Sequence, residues 1–371
     1  MIREPHAPHP IQAIEWDRSP AAALSIPGTA AAWDKLNAQR SDLPFLTAAS
    51  VTCALEFFGD PAAKLWTGRS NGDVVAMLIA VPDGRLGWRT FQPSQLPLGA
   101  LVAAPGLELS ALARSLWRGP LRRALMMSLT RIDPWLAPRE ADVASTSQVD
   151  YVPTAWIDLD GDFDAYWARR GKNLRQNMRK QRSRLASQGV TVRTRTWTAA
   201  EDMADAIARY SALEGAGWKG AEGSAVQTDN QQGRFYRSWF ERAARRGEAV
   251  VYEGMFDERT VAMNLCLRRA GTLVVLKTSY DESVQSVSPA FLLHEDMLRA
   301  LFAEGRTRRL EYYGRVMEWH TRWTDNQRML YHFTAFRWPT MARLARWRIA
   351  RRDSKPDAAR ATLPSTSEAA G

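Results

Sequence analysis

The chain has 371 residues, 45% of them hydrophobic and 24% charged, with 50 Lys+Arg against 40 Asp+Glu for a net charge of +10. That length favours two lobes over one, and the basic balance favours acidic partners such as nucleic acid, anionic lipid or a phosphorylated cofactor. Two cysteines, Cys53 and Cys266, are too few for a zinc site or a disulfide framework and point to a reducing compartment. The N-terminus lacks the apolar core of a signal peptide, and no apolar run approaches the roughly 20 residues that span a bilayer.

Residues 1–28 are rich in Pro and Ala and read as a flexible N-terminal arm. A helical pattern follows through Trp33 and Leu36. Thr47 caps a second helix whose apolar face carries Val51, Leu55 and Phe58. Apolar runs at 64–67 and 74–81 flank Asn71-Gly72, a strong hairpin signal. A strand at 87–91, a helix at 107–117 and strands at 124–130 and 152–159 complete a first lobe over 29–160. The second lobe, 161–338, opens with one long helix over 162–187, striped by Phe163, Trp167, Leu174, Met178 and Leu185. A strand at 190–197 and helices at 200–213 and 231–246 lead into a three-stranded meander over 249–279. The helix at 289–302 ends at Gly305, which suits a C-terminal cap. A strand at 309–313, a short helix and a strand at 329–337 close the lobe. A basic amphipathic helix spans 339–352, and the tail 353–371 reads as disordered.

Three stretches carry chemistry. Gly215, Gly217, Gly220 and Gly223 are too many for a helix interior, each costing about 1 kcal/mol there. The segment is therefore a loop, and a loop holding Glu214, Trp218 and Lys219 suits a binding site. A surface turn whose Trp plugs the core is the plain alternative. Ser288-Pro289 gives a favoured N-cap and first helical residue, and the helix dipole makes such a start an anion site. Arg169, Arg170, Lys172, Arg175, Arg179, Lys180, Arg182 and Arg184 surround one apolar stripe. CoA phosphates, an acidic glycan or RNA would fit that density, as would a plain solvated face. His294 reads as a structural hydrogen-bonding residue, His320 and His332 have no arguable partner, and Cys266 reads as inert core.

The order meander, capped helix, strand, helix, strand resembles the acyl-CoA-binding half of the GNAT acetyltransferase superfamily. Glu214 with Gly217-Trp218-Lys219-Gly220 and Gly223, then Lys277-Thr278-Ser279-Tyr280-Asp281, then Ser288-Pro289 with Leu292-Leu293, resembles the CelD/BcsL-type acetyltransferases associated with cellulose and exopolysaccharide synthesis. Lys172-Asn173-Leu174-Arg175-Gln176-Asn177 with Arg179, and Phe45-Leu46 leading to Phe57-Phe58-Gly59, extend the likeness over roughly residues 40–338.

This resemblance implies an α+β fold of two GNAT-like lobes, each a mixed, largely antiparallel sheet flanked by helices. It implies acetyl-CoA as acyl donor, no metal, and an amine or hydroxyl acceptor on a small molecule or glycan that attacks the thioester directly. Glu214 is then the candidate base, with Tyr280 or Tyr312 donating to the departing thiolate. Lys277, Thr278, Ser288, Pro289, Ala290, Phe291 and Leu292 would hold CoA, and Trp218 and Lys219 the acceptor. Pairing of Glu214 with a nearby cation is the structural alternative to catalysis.

Two departures stand out. The glycine-rich pyrophosphate loop of the superfamily is replaced by 284–289 without a glycine, and Trp319-His320 stands where a lysine is usual. A Fem-type aminoacyl transferase using charged tRNA, and a non-catalytic scaffold in an envelope-polysaccharide complex, are the competing readings. The expected setting is cytoplasmic, with contact to an anionic membrane surface through 339–352; nucleic acid is not the expected partner.

Overall fold

The computed structural model describes residues 13–141, 143–216 and 226–353. The tail expected over 353–371 lies, apart from Asp353, outside the described residues, as do the first twelve residues of the arm.

The rest of the arm is ordered rather than loose. Strand β1 (Glu15–Pro20) pairs antiparallel with β2 (Lys64–Ser70) at the edge of the sheet, so its few side-chain contacts left little apolar pattern to read. Helix α1 (Pro27–Ala38) follows, then α2 (Ala48–Phe58), whose N-cap Thr47 accepts the Ser50 N–H at 3.2 Å. The β2–β3 hairpin turns at Asn71 and Gly72, both at positive φ, into β3 (Asp73–Asp83). Next come β4 (Gly87–Thr90), a short β5 (Leu101–Ala103) that the sequence did not signal, α3 (Leu109–Arg118), β6 (Met126–Ile132) and β7 (Thr146–Asp158).

The long helix expected over 162–187 is two helices, α4 (Phe163–Ala168) and α5 (Lys172–Ser187), divided just before Gly171, which serves as the N-cap of α5. Then follow β8 (Val192–Trp197), α6 (Met203–Gly215), α7 (Gln231–Ala244) and the meander β9 (Ala249–Phe256), β10 (Arg259–Arg269) and β11 (Thr272–Tyr280). Helix α8 (Pro289–Glu304) ends at Gly305, whose φ of 66° is the left-handed cap geometry expected there. The chain closes with β12 (Arg309–Glu311), α9 (Glu318–Thr321), β13 (Gln327–Phe336) and α10 (Pro339–Asp353).

Among the described residues, twelve strands form one continuous mixed sheet, in the order β1-β2-β3-β4-β6-β13-β7-β12-β11-β10-β9-β8, with β5 added on β3. All pairings are antiparallel except β4–β6 and β11–β12. The expected α+β architecture of mixed, largely antiparallel sheet flanked by helices is thus present. One strand is placed otherwise than expected. β13, read as closing the second lobe, lies between β6 and β7 in the first half. Its Arg328 donates to both oxygens of buried Asp133 and sits 3.0 Å from buried Glu311 of β12. Nothing in its local pattern could have announced a partner nearly two hundred residues away.

Period-two alternation assigns each strand face its own core. On one face, α1, α2, α6 and α7 share a cluster that runs through both halves, with Trp33, Val51, Met77, Tyr210, Trp239 and Met263. On the opposite face, α4, α5 and α8 cover the second half and α3 the first.

Candidate functional site

Two irregularities in β11 build the site. The strand pairs with β12 only at Thr272↔Arg309, Leu273↔Leu310 and Val274↔Glu311, and beyond that point the two parallel strands separate. Its register with β10 jumps from Cys266↔Val275 to Leu265↔Lys277, leaving Leu276 as a bulge. A one-residue slip turns every following side chain to the other face. Thr278 and Tyr280 therefore join Val275 on the α8 face, while Lys277 points to the α6 face.

A cavity of about 480 Å³ opens in the wedge between the strands. Val275, Thr278 and Tyr280 form one wall, and Ser288, Pro289, Ala290, Phe291 and His294 at the start of α8 another. Tyr312, Trp319 and Trp323 close it, with Asn264, Gln285 and Ser286 completing the lining. No carboxylate lies among these residues.

The helix start differs in detail from a plain serine cap. Ser288 holds the N-cap position at φ 53°, ψ 53° and makes no side-chain cap bond. A non-glycine residue in that region costs roughly 1–2 kcal/mol, and such strain gathers at binding sites. Phe291 and Leu292 N–H groups close back on the Ser288 carbonyl at 3.0 and 3.1 Å, while Pro289 brings no N–H and Ala290 makes no such bond. The Ala290 N–H and the positive end of the helix dipole are thus what the helix start offers an anion at the cavity wall.

Tyr312 and His294 form the polar pair of the cavity, Tyr312 Oη lying 2.8 Å from His294 Nε2. Burial pushes the imidazole down to about 3, with His320 adding to the effect, so it is neutral at physiological pH. Burial likewise holds the Tyr312 phenol well above 10. His320 accepts the Met317 N–H through Nδ1 at 2.9 Å, stacks on Trp319 and meets the Tyr312 ring edge-on; burial brings it down to about 4.

Glu214 is not in this cavity. It lies at the end of α6, 2% exposed, accepting the Tyr210 O–H at 3.0 Å and the Val226 N–H at 2.8 Å. Lys277 Nζ lies 3.5 Å from its Oε1. The candidate base and Lys277 are thus an ion pair on the face of β11 opposite the cavity.

Of the residues expected at the site, Thr278, Tyr280, Ser288, Pro289, Ala290, Phe291 and Tyr312 are brought together. Lys277 is turned away by the bulge, and Leu292 by helical periodicity into the core beneath α8. Trp218 and Lys219 lie outside the described residues. Asn264, His294, Trp319 and Trp323 line the cavity without having been expected there. Trp319 lies in α9 and Trp323 just beyond its end, so helical spacing did not announce that the two share the cavity.

Among the described residues, no group of three or more His, Cys, Asp or Glu could hold a metal, and no helix is long and apolar enough to cross a membrane.

A mixed sheet with a splayed parallel strand pair and a helix start at the splay defines a class of fold. Residues 172–321 match the family model described as an acetyltransferase (GNAT) domain. Among solved structures, the chain is similar to the C-terminal domain of a putative lysylphosphatidylglycerol synthetase from Agrobacterium fabrum. That match has 13% identity and a TM-score of 0.53, covering 86% of this chain and 95% of that one. A tandem GNAT protein from the clavulanic acid biosynthesis pathway is 17% identical, with TM-score 0.45, covering 87% and 98%. FemX is 9% identical, with TM-score 0.47, covering 76% and 90%. No curated protein matches the chain. The fold and the matched region support a GNAT-type acetyltransferase domain.

Proposed function

We propose that the protein is an acyl-CoA-dependent acyltransferase whose donor site lies in the second of two GNAT-like lobes, 161–338. The observation that carries this reading is the cavity in the β11–β12 wedge, walled by the start of α8 and without a carboxylate among its described lining residues. The helix start suits a pyrophosphate. The side of β11 past Val274 has no strand partner among the described residues and can hydrogen-bond an extended amide-bearing arm such as pantetheine.

In the proposed reaction an acceptor amine or hydroxyl attacks the thioester carbonyl and the C–S bond breaks. The Tyr312 O–H gives its proton to the departing thiolate, and the acceptor loses one proton to a base. Tyr280, at the rim, is the alternative donor. Glu214 is the candidate for that base, but its pairing with Lys277 on the face opposite the cavity supports an anchoring role instead. Acetyl-CoA is the proposed donor and a sugar or polysaccharide precursor the proposed acceptor. The motif residues around Glu214, Lys277 and Ser288-Pro289 support a CelD/BcsL type. Two buried free cysteines support a reducing, cytoplasmic setting, and contact with an anionic membrane surface belongs to the same proposal.

A second reading, aminoacyl transfer from charged tRNA, draws on α5. Arg179, Lys180 and Arg184 are exposed there with no carboxylate within 4 Å among the described residues. Thermal unfolding of the full chain with acetyl-CoA or with charged tRNA separates the two. A ligand at a hundred times its dissociation constant adds about 2.7 kcal/mol of stability. Stabilisation by acetyl-CoA is expected. Stabilisation by charged tRNA alone favours the second reading, and by neither, a scaffold.

A further inference from the structure

The far end of the sheet gathers three basic segments that are remote in sequence. Leu125 N–H donates to the Leu86 carbonyl at 2.7 Å, and Arg337 N–H to the Leu125 carbonyl at 2.9 Å. The Arg337 guanidinium reaches the Arg122 carbonyl at 2.8 Å, and Arg346 of α10 the Ala144 carbonyl. The β3–β4 turn, the α3–β6 loop and the start of α10 therefore form one surface.

Its composition is unusual in two ways. Four large apolar side chains stand out in water: Leu86 at 51%, Trp338 at 52%, Leu344 at 49% and Trp347 at 49% exposure. Around them lie the exposed Arg85, Arg122, Arg123 and Arg343. None of these arginines is within 4 Å of a carboxylate among the described residues. Residues 84–86, 119–125 and 337–347 contain no acid at all.

We propose that this surface, and not α10 alone, seats the protein on an anionic lipid bilayer. Tryptophan and leucine would enter the headgroup–acyl boundary while the guanidiniums engage lipid phosphates. Amphipathic surfaces bind anionic interfaces by this combination of apolar burial and charge. A single-stranded nucleic acid would engage the arginines and could stack on the tryptophans, but would leave the exposed Leu86 and Leu344 without a role. The proposal rests on the membrane contact put forward above and is independent of acyl transfer.

Co-sedimentation of the full chain with lipid vesicles tests it, with no acyl donor present. The expected result is binding to phosphatidylcholine vesicles containing roughly 30% phosphatidylglycerol, little binding without the anionic lipid, and weakening by salt. Arg122→Gln/Arg123→Gln/Arg343→Gln should reduce partitioning on the order of a hundredfold. Leu344→Ser/Trp347→Ser should reduce it at least tenfold and remove a blue shift of tryptophan fluorescence. Both variants should keep the wild-type unfolding midpoint and acetyl-CoA stabilisation. Failure of the wild type to bind anionic vesicles overturns the proposal. So does vesicle binding that survives both variants, tight binding of RNA in place of vesicles, or a self-association that the same variants abolish.

Discussion

The two halves of the molecule carry the same device and use it differently. Each has one parallel strand pair in an otherwise antiparallel sheet, with a helix in the connection: β4 and β6 with α3, β11 and β12 with α8. In the first half the wedge beyond the pair is filled. Thr90 and Thr130 hydroxyls meet at 2.8 Å, and Gly99 N–H donates to the Thr130 carbonyl at 3.1 Å. The approach is so close that a Cβ on Gly99 would sit 2.5 Å from that oxygen. The cavity beside Leu98, Gly99 and Ile132 holds about 40 Å³, and the space of about 590 Å³ outside the start of α3 is lined by Glu108 and Glu140, whereas the cavity of about 480 Å³ in the second half has no carboxylate among its described lining residues. The helix starts differ in the same sense. Ser110 N–H, in the first turn of α3, donates to both oxygens of Glu140 at 3.2 Å, so the chain supplies its own anion there. The start of α8 faces a cavity with no carboxylate among its described lining residues. Topology alone therefore does not make a ligand site. What fills the wedge and what neutralises the helix start set the two halves apart.

Five substitutions, read as four tests, sharpen or break this contrast. The largest effect is expected from Tyr312→Phe, which removes the proposed proton donor. Steady-state kinetics should show kcat lower by about 10²–10⁴-fold with KM for acetyl-CoA little changed. Ala290→Asp puts a negative charge into the open helix start. Calorimetric titration should show acetyl-CoA affinity falling on the order of a hundredfold. Glu140→Gln at the matching place in the first half should leave that affinity unchanged, and equal losses in both variants would erase the distinction between the halves.

Glu214→Gln breaks the ion pair behind the sheet. Urea unfolding should register a loss of roughly 1–3 kcal/mol while turnover stays within about an order of magnitude. A loss of 10²–10⁴-fold in turnover at full stability would restore Glu214 as the base.

The fourth effect is the gentlest. His294 ordinarily titrates near 6.5 but is held at about 3 when folded. Between those values the unfolded chain binds the extra proton, so stability rises with pH across that window and is complete above it. His294→Gln should make the acid side of the stability profile less steep below pH 6.5, with His320, held at about 4, supplying part of the remaining slope, and leave the slope on the neutral side unaltered.

Features written in local chemistry are legible in the amino-acid sequence. The Asn71-Gly72 hairpin, the Thr47 cap and the Gly305 stop each need a particular residue at a particular φ or hydrogen bond, and each is where its residue announces it. The parallel-pair wedge can be anticipated only as an order of elements. Signals that depend on distant partners are silent. β13 reads as a strand, but its place between β6 and β7 is set by neighbours on other segments. The bulge at Leu276 has no residue signature, so Lys277 and Thr278 cannot be assigned to opposite faces by alternation. Ser288 resembles a side-chain cap because serine usually is one; its left-handed backbone is imposed by the turn that brings α8 to the cavity.

The central claim is that the donor binds in the wedge of the second half. Hydrogen–deuterium exchange of the full chain, with and without saturating acetyl-CoA, tests it directly. The expected result is slowed exchange across 275–292 and no change across 90–110. Protection confined to 90–110, or none in either segment at saturation, would contradict it.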